Sequence, residues 1–198
     1  MALACASAAM GATVTLTMTE VPYQAINGLA VTKGGITFTF SDAGGGLFYN
    51  APSGGLLTYV QDPSIAGPPE PFSVAFSVPV NFIQFGMMGG PPMPPGTPLA
   101  SVKFYNGVTL LATVALNASL TDGYPEGQLT YTPTTPVTSI TITPATTFLV
   151  IGFDNLAVTP APVAVPATSP LTLALMTLGI VGLAGYALRR RFGPSPIY

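Results

Sequence analysis

The sequence predicts an all-β protein: an antiparallel, jelly-roll-like β-sandwich followed by a proline-rich linker and a single C-terminal transmembrane helix. Three observations carry this. Apolar residues alternate with small polar ones in short runs separated by turn residues over 14–158. Prolines recur at Pro160, Pro162, Pro166 and Pro170. An uncharged run of 18 residues, 171–188, then ends on Arg189, Arg190 and Arg191.

The strands follow in order. Val14, Leu16 and Met18 alternate with threonines, as do Ile36, Phe38 and Phe40. Phe72, Val74, Phe76 and Val78 alternate with Ser73, Ala75 and Ser77, and Phe82, Ile83 and Phe85 follow after Pro79 as a separate run. Such alternation puts one side of a strand in a core and the other in water. Asn106-Gly107, between SVKFY and VTLLATVAL, is a type I′ hairpin signal. Leu129 with Tyr131, Ile140 with Ile142, and the closing FLVIGFDNLAV complete about ten short strands, with no helical period before residue 171. That count in an antiparallel chain favours a jelly roll over an immunoglobulin-like sandwich. The segments DPSIAGPPEP (62–71) and GGPPMPPGTP (89–98) are dense in proline and read as loops.

Charge and residue absences exclude several chemistries. Charged residues are only 6% of the chain, and all seven acids precede the linker. With Lys33 and Lys103 the only basic residues there, residues 1–170 carry −5 and the tail +3. A negative domain with two lysines offers no electrostatic footprint for nucleic acid. There is no His or Trp, and Cys5 is the only Cys. Imidazole-based triads, imidazole metal sites and intrachain disulfides are therefore out of reach. Gly44 to Gly46 lack the Lys and Ser/Thr of a phosphate loop. Glu70 and Glu126 are a poor glycosidase pair, each set among Pro and Gly, so no catalytic residue is expected.

The run LTLALMTLGIVGLAGYAL spans about 27 Å as a helix, close to a bilayer's hydrocarbon core of roughly 30 Å. The arginines after it hold the C-terminus in the cytoplasm and put residues 1–170 outside. The prolines before it favour extended polyproline II, a semi-rigid spacer over 159–170.

Spacer, apolar helix and arginine cluster, in that order over 160–191, resemble the C-terminal sorting signals of the PEP-CTERM class. Where that class has Pro-Glu-Pro, this chain has Pro160-Ala161-Pro162, while Val165, Pro166, Ser169 and Pro170 in VPATSPLTLAL look like the related IPTL or VPxxS variants. The resemblance implies export and processing by exosortase, an integral-membrane transpeptidase, with Pro160, Pro162, Val165, Pro166, Ser169, Pro170 and the three arginines as the sorting signal. No LPxTG motif is present. The order of runs over about 72–158 is also similar to the jelly-roll ectodomains attached to such tails, which implies a carbohydrate-module-like sandwich. In jelly-roll modules of this kind a carboxylate in the last strand often ligates structural calcium. Asp154, of the Asp154-Asn155 pair, is the residue here, with backbone carbonyls and Asp42 or Asp122 completing the six to eight oxygens; the other reading is an outward-facing pair at the strand end.

MALACASAAMGATVTLT begins with small and apolar residues and contains Ala6-Ser7-Ala8, a cleavage pattern, so 1–11 read as the remnant of a signal peptide. The expected organisation is thus signal remnant 1–11, ectodomain 12–158, linker 159–170, transmembrane helix 171–188 and basic cytoplasmic tail 189–198. The expected protein is a non-enzymatic component of the cell envelope, in a single-pass arrangement or at the surface after processing. Its partners would be the membrane, the processing enzyme and extracellular polysaccharide. The alternative is a carbohydrate-binding module with a defined glycan site, which requires at least two of Tyr23, Tyr49, Tyr59 and Tyr124 to stand exposed and close together.

Overall fold

The computed structural model describes residues 11–52, 57–91, 93–94, 96–119 and 124–162. The signal remnant through residue 10, most of the linker, the apolar run and the arginines lie outside the described residues, and with them Val165, Pro166, Ser169, Pro170 and Arg189 to Arg191. Among the described residues no helix is long and apolar enough to cross a membrane.

The described chain is all β: β1 (Val14–Leu16), β2 (Gln24–Ala25), β3 (Ala30–Lys33), β4 (Ile36–Asp42), β5 (Phe48–Ala51), β6 (Ser64–Gly67), β7 (Phe72–Gly90), β8 (Pro98–Asn106), β9 (Thr109–Asn117), β10 (Glu126–Tyr131), β11 (Val137–Pro144) and β12 (Val150–Pro160). Every pairing is antiparallel.

The runs before and after Pro79 are not two strands but one, the 19-residue β7. Its residues 72–76 lie between β4 and β11, and its residues 83–88 between β12 and β10. The change of partners falls at Ser77–Pro79, where proline has no N–H to give a ladder. There the Ser77 hydroxyl accepts the Thr37 N–H and the Pro79 carbonyl accepts the Ala161 N–H. The strand therefore belongs to two layers. The first runs β3-β4-β7-β11-β8-β9; the second runs β2-β5-β6-β12-β7-β10, with β1 also on β12.

One core lies between the layers. Phe72 of the first meets Phe153 of the second edge-on at 5.3 Å, and Phe40 meets Tyr49 at 5.8 Å. Phe38, Phe40, Phe85, Phe104 and Phe153 are all fully buried. The predicted alternation is clean in β4, whose Ile36, Phe38 and Phe40 face in while Thr39 and Ser41 face out.

Three readings of the sequence are corrected. Ser64–Gly67, inside a segment read as loop, is a strand, because its backbone bridges β5 and β12. The hairpin turn is Gly107-Val108, not Asn106-Gly107, since Asn106 pairs with Thr109. Gly107 alone has positive φ, the pattern of a type II′ turn with glycine first. Finally, Thr159 and Pro160 are not spacer: they finish β12 against Phe82 and Val80, and the Thr159 hydroxyl bonds Thr13 at 2.8 Å. Proline is tolerated at that position because the strand ends there.

Candidate functional site

The outward side chains of the first layer form rows set by the pairing register. One row runs Ser41, Ser73, Thr141, Lys103, Thr113 across β4, β7, β11, β8 and β9. The next runs Thr39, Ala75, Ser139, Tyr105, and Thr143, Ser101 and Ala115 make a shorter third. Neighbours in a row stand about 4.8 Å apart, so the five-strand row covers roughly 19 Å. The rows are built from small β-branched and hydroxyl residues because a strand with one wet face favours them there.

Two shallow depressions open at the same end of this face. One, of about 130 Å³, includes Ser41, Ser73 and Thr141; the other, of about 410 Å³, includes Ser101, Ala115 and Thr143. They share β11, so together they follow the rows across the layer. Among the described residues the face carries one charge, Lys103, which is exposed. Hydroxyls that both donate and accept, on a nearly neutral flat surface, suit a neutral polyhydroxyl ligand.

The outer side of the second layer is different. Segment 57–61 lies across it, held by acids. Both oxygens of Glu126 accept backbone N–H groups, from Thr58 at 2.8 Å and Tyr59 at 2.7 Å. Asp154 accepts the Gln61 N–H at 3.0 Å, and the Asn155 side chain donates to the Tyr59 carbonyl at 3.3 Å. Gly86 makes room: a β-carbon there would stand 2.0 Å from the Tyr59 carbonyl oxygen. Val60 is fully buried against this side. That cover explains why β12 is buried on both faces and reads as a continuous apolar run.

Asp154 and Asn155 sit at a bulge, where the register between β12 and β7 shifts and Asn155 takes φ +55°. Asp154 is buried, not an outward-facing strand end. Its oxygens also accept from Asn155, the backbone N–H at 2.6 Å and the side chain at 3.1 Å. Burial pushes its carboxyl up to about 6, against the pull of the Gln61 and Asn155 N–H groups. Asp42 spends its oxygens on Gly44 and Leu47 N–H groups at 3.0 Å, and Asp122 lies outside the described residues. Among the described residues no three metal-ligating side chains converge.

Glu20 is a further internal acceptor, which sequence reasoning passed over. It takes the Lys33 ammonium at 2.7 Å and the Tyr49 hydroxyl at 2.6 Å. Burial alone would raise its carboxyl, but Lys33, Tyr49 and the Thr17 N–H outweigh that and hold it at about 2. Burial and, after it, the same Glu20 contact push the Tyr49 phenol well above its ordinary value. Glu70 accepts the Gly46 N–H at 2.6 Å. Glu70 and Glu126 thus accept from different segments.

The tyrosine platform is not assembled. Tyr49 is fully buried, Tyr59 and Tyr124 are half-buried, and only Tyr23, at 59%, is exposed. Tyr23 stacks on Phe48 with ring centroids 5.0 Å apart.

Comparison with protein-family models gives no match, and comparison with curated proteins gives none either. Among solved structures the chain is similar to a family 29 carbohydrate-binding module from Piromyces equi, at 10% identity and TM-score 0.37, over 71% of this chain and 91% of that one. It is similar to the K3 cleaved adhesin domain of Lys-gingipain from Porphyromonas gingivalis, at 11% identity and TM-score 0.38, over 76% and 100%. A third similarity is to the CBM22-1 and GH10 modules of xylanase 10B from Clostridium thermocellum complexed with xylohexaose, at 12% identity and TM-score 0.30, over 78% and 27%. Likenesses of this size fix neither family nor ligand.

Proposed function

We propose that the chain is an exported, non-enzymatic protein of the cell surface or extracellular matrix. Its C-terminal tail is a PEP-CTERM-type sorting signal, and its two-layered, jelly-roll-like sandwich associates with extracellular polysaccharide. The observation that carries the second part is the hydroxyl-lined outer face of the first layer. It spans five strands, is left uncovered among the described residues and carries a single charge. Strand spacing places its hydroxyls at intervals close to one sugar unit of an extended chain. The acids that make the sequence negative do not crowd this face, because Asp42, Glu126 and Asp154 are buried as acceptors. A carbohydrate module with a defined glycan site is the second reading. It lacks its tyrosine platform, and diffuse association is preferred for that reason.

The test of association is retention of the full chain, in detergent micelles, on immobilised extracellular polysaccharide from a host that makes exosortase. The double variant Thr141→Ala/Ser101→Ala should lose about tenfold in affinity, the sum of two hydrogen bonds of about 0.7 kcal/mol each. Unchanged retention would remove the face from the binding reaction. For sorting, a cytoplasm-specific reporter fused after Tyr198 should be active in the parent. It should lose activity when Arg189, Arg190 and Arg191 are all replaced by neutral residues. An inactive parent fusion would invert the proposed orientation.

A further inference from the structure

We propose that the open edge of β9 is a self-association edge, where two copies pair β9 to β9, antiparallel about a two-fold axis, and continue the first layer through both. This goes beyond the polysaccharide reading and stands without it.

β9 pairs with β8 on one flank, and no described strand pairs with the other. Its C-terminal end is tied down, since the Ala118 N–H reaches Thr97 and the Ser119 N–H reaches Glu126. From Thr109 to Leu116, every second N–H and C=O points away from β8 with no described partner strand. Such an edge is a template for another strand, and proteins blunt theirs with shortness, charge or proline. Three of the other edges follow that rule: β1 has three residues, β2 has two, and β3 has four and carries Lys33, while β10, the edge of the second layer, lies against the C-terminal end of β9. β9 has nine residues, TLLATVALN, with no charge and no proline. Its one defence is a bulge at Leu111, the residue left over between the pairs Tyr105–Leu110 and Phe104–Ala112. That leaves Ala112–Leu116 regular.

The same edge leaves the core uncovered. Ala112 and Val114 face inward opposite Phe104 and Val102, which are fully buried, yet both are themselves only half-buried. Leu110 is 50% exposed, and Val108 at the turn is 99% exposed. A strand added at β9 would cover Ala112 and Val114 as β9 covers β8.

The occupant is a second copy for three reasons. An open strand edge is satisfied by another open edge, and each copy brings one. A two-fold axis makes the contact closed and self-complementary, so it stops at a dimer. No charge opposes it: the nearest, Lys103, is one strand in, which puts the two lysines three strand spacings or about 14 Å apart, beyond a screening length of about 8 Å at physiological salt.

The experiment uses the full chain in detergent micelles. Sedimentation equilibrium across a concentration series should show a reversible monomer–dimer balance. Thr113→Lys with Ala115→Lys, both on the exposed face of β9, should weaken the dimer by about tenfold or more by setting like charges opposite each other, with the far-ultraviolet spectrum unchanged. In a Cys5→Ser background, Thr113→Cys or Ala115→Cys should give oxidatively linked dimers, whereas Ala75→Cys, in the middle of the same layer, should not. The proposal is overturned if the chain stays monomeric throughout. It is equally overturned if a dimer persists unchanged in the lysine variant, which would place association in another segment, or if the β9 cysteines link no better than Ala75→Cys.

Discussion

The two outer faces of this domain are made from the same strand chemistry and end in opposite states. On the first layer, rows of serine and threonine stay open across five strands. On the second, segment 57–61 lies over β7 and β12, and its backbone is taken up by Glu126, Asp154 and Asn155. The difference lies in where the few charges go. Glu20, Asp42, Glu70, Glu126 and Asp154 all accept backbone N–H groups. In a chain with 6% charged residues, these five acids fasten irregular segments, and the open face is left close to neutral.

The largest test of that contrast is Glu126→Ala. It strips two N–H groups of the buried carboxyl that accepts them and should cost about 3 kcal/mol in urea unfolding. Gly86→Ala should loosen the same segment from the other side, seen as faster amide exchange at 58–61 than in the rest of the sheet. If Glu126→Ala unfolds no more easily than the parent, segment 57–61 is not held as described.

A smaller effect follows from Asp154. Its folded value is about 6 against an ordinary 3.8, so between these the folded state holds more protons than the unfolded one. Stability contributed by this group is therefore full below pH 4 and falls as pH rises to about 6. Glu20 acts oppositely: held at about 2 against an ordinary 4.5, it adds stability as pH rises across that window and loses it as pH falls. The stability of the parent relative to Asp154→Asn should decline by on the order of 2 kcal/mol between pH 4 and 6.5. A difference independent of pH would show that Asp154 titrates normally.

The smallest expected stability change is on the open face. Thr141→Ala and Ser101→Ala should each shift unfolding by no more than about 0.5 kcal/mol, because neither side chain is part of the core. A larger loss at either position would mean that this face, too, is occupied.

Much of the first layer was legible because a period of two is a local property. Phe38 and Phe40, Val74 and Phe76, Ile140 and Ile142 all sit on the predicted core side. What escaped was set by contacts far apart in the chain. Glu126 holds residues 67 and 68 positions before it, and Asp154 holds one 93 positions before it. No spacing rule ties a carboxylate to a backbone N–H at such a distance. Ser64–Gly67 was hidden by flanking prolines, which mark a break without saying what lies between them. The continuity of β7 through Pro79 was hidden in the same way. The outward hydroxyls were visible as residue types, but their alignment into rows depends on register, which only pairing supplies. The tyrosines misled because closeness to a turn in sequence does not decide exposure: Tyr49 turns inward to meet Glu20.

The sharing of β7 by both layers has a mechanical consequence. The chain leaves the domain through β12, which pairs with β7 from Val150 to Pro160, and β7 in turn carries the middle of the open face at Ser73 and Ala75. Tension applied to the chain beyond Pro162, with the open face held fast, passes from β12 to β7 through backbone hydrogen bonds and then along one covalent strand to the loaded surface. It need not cross the apolar interior, where contacts slide easily. Pulled in this way, the domain should yield first at its edges, at β2 and β3, while the path from Pro162 to the open face stays intact.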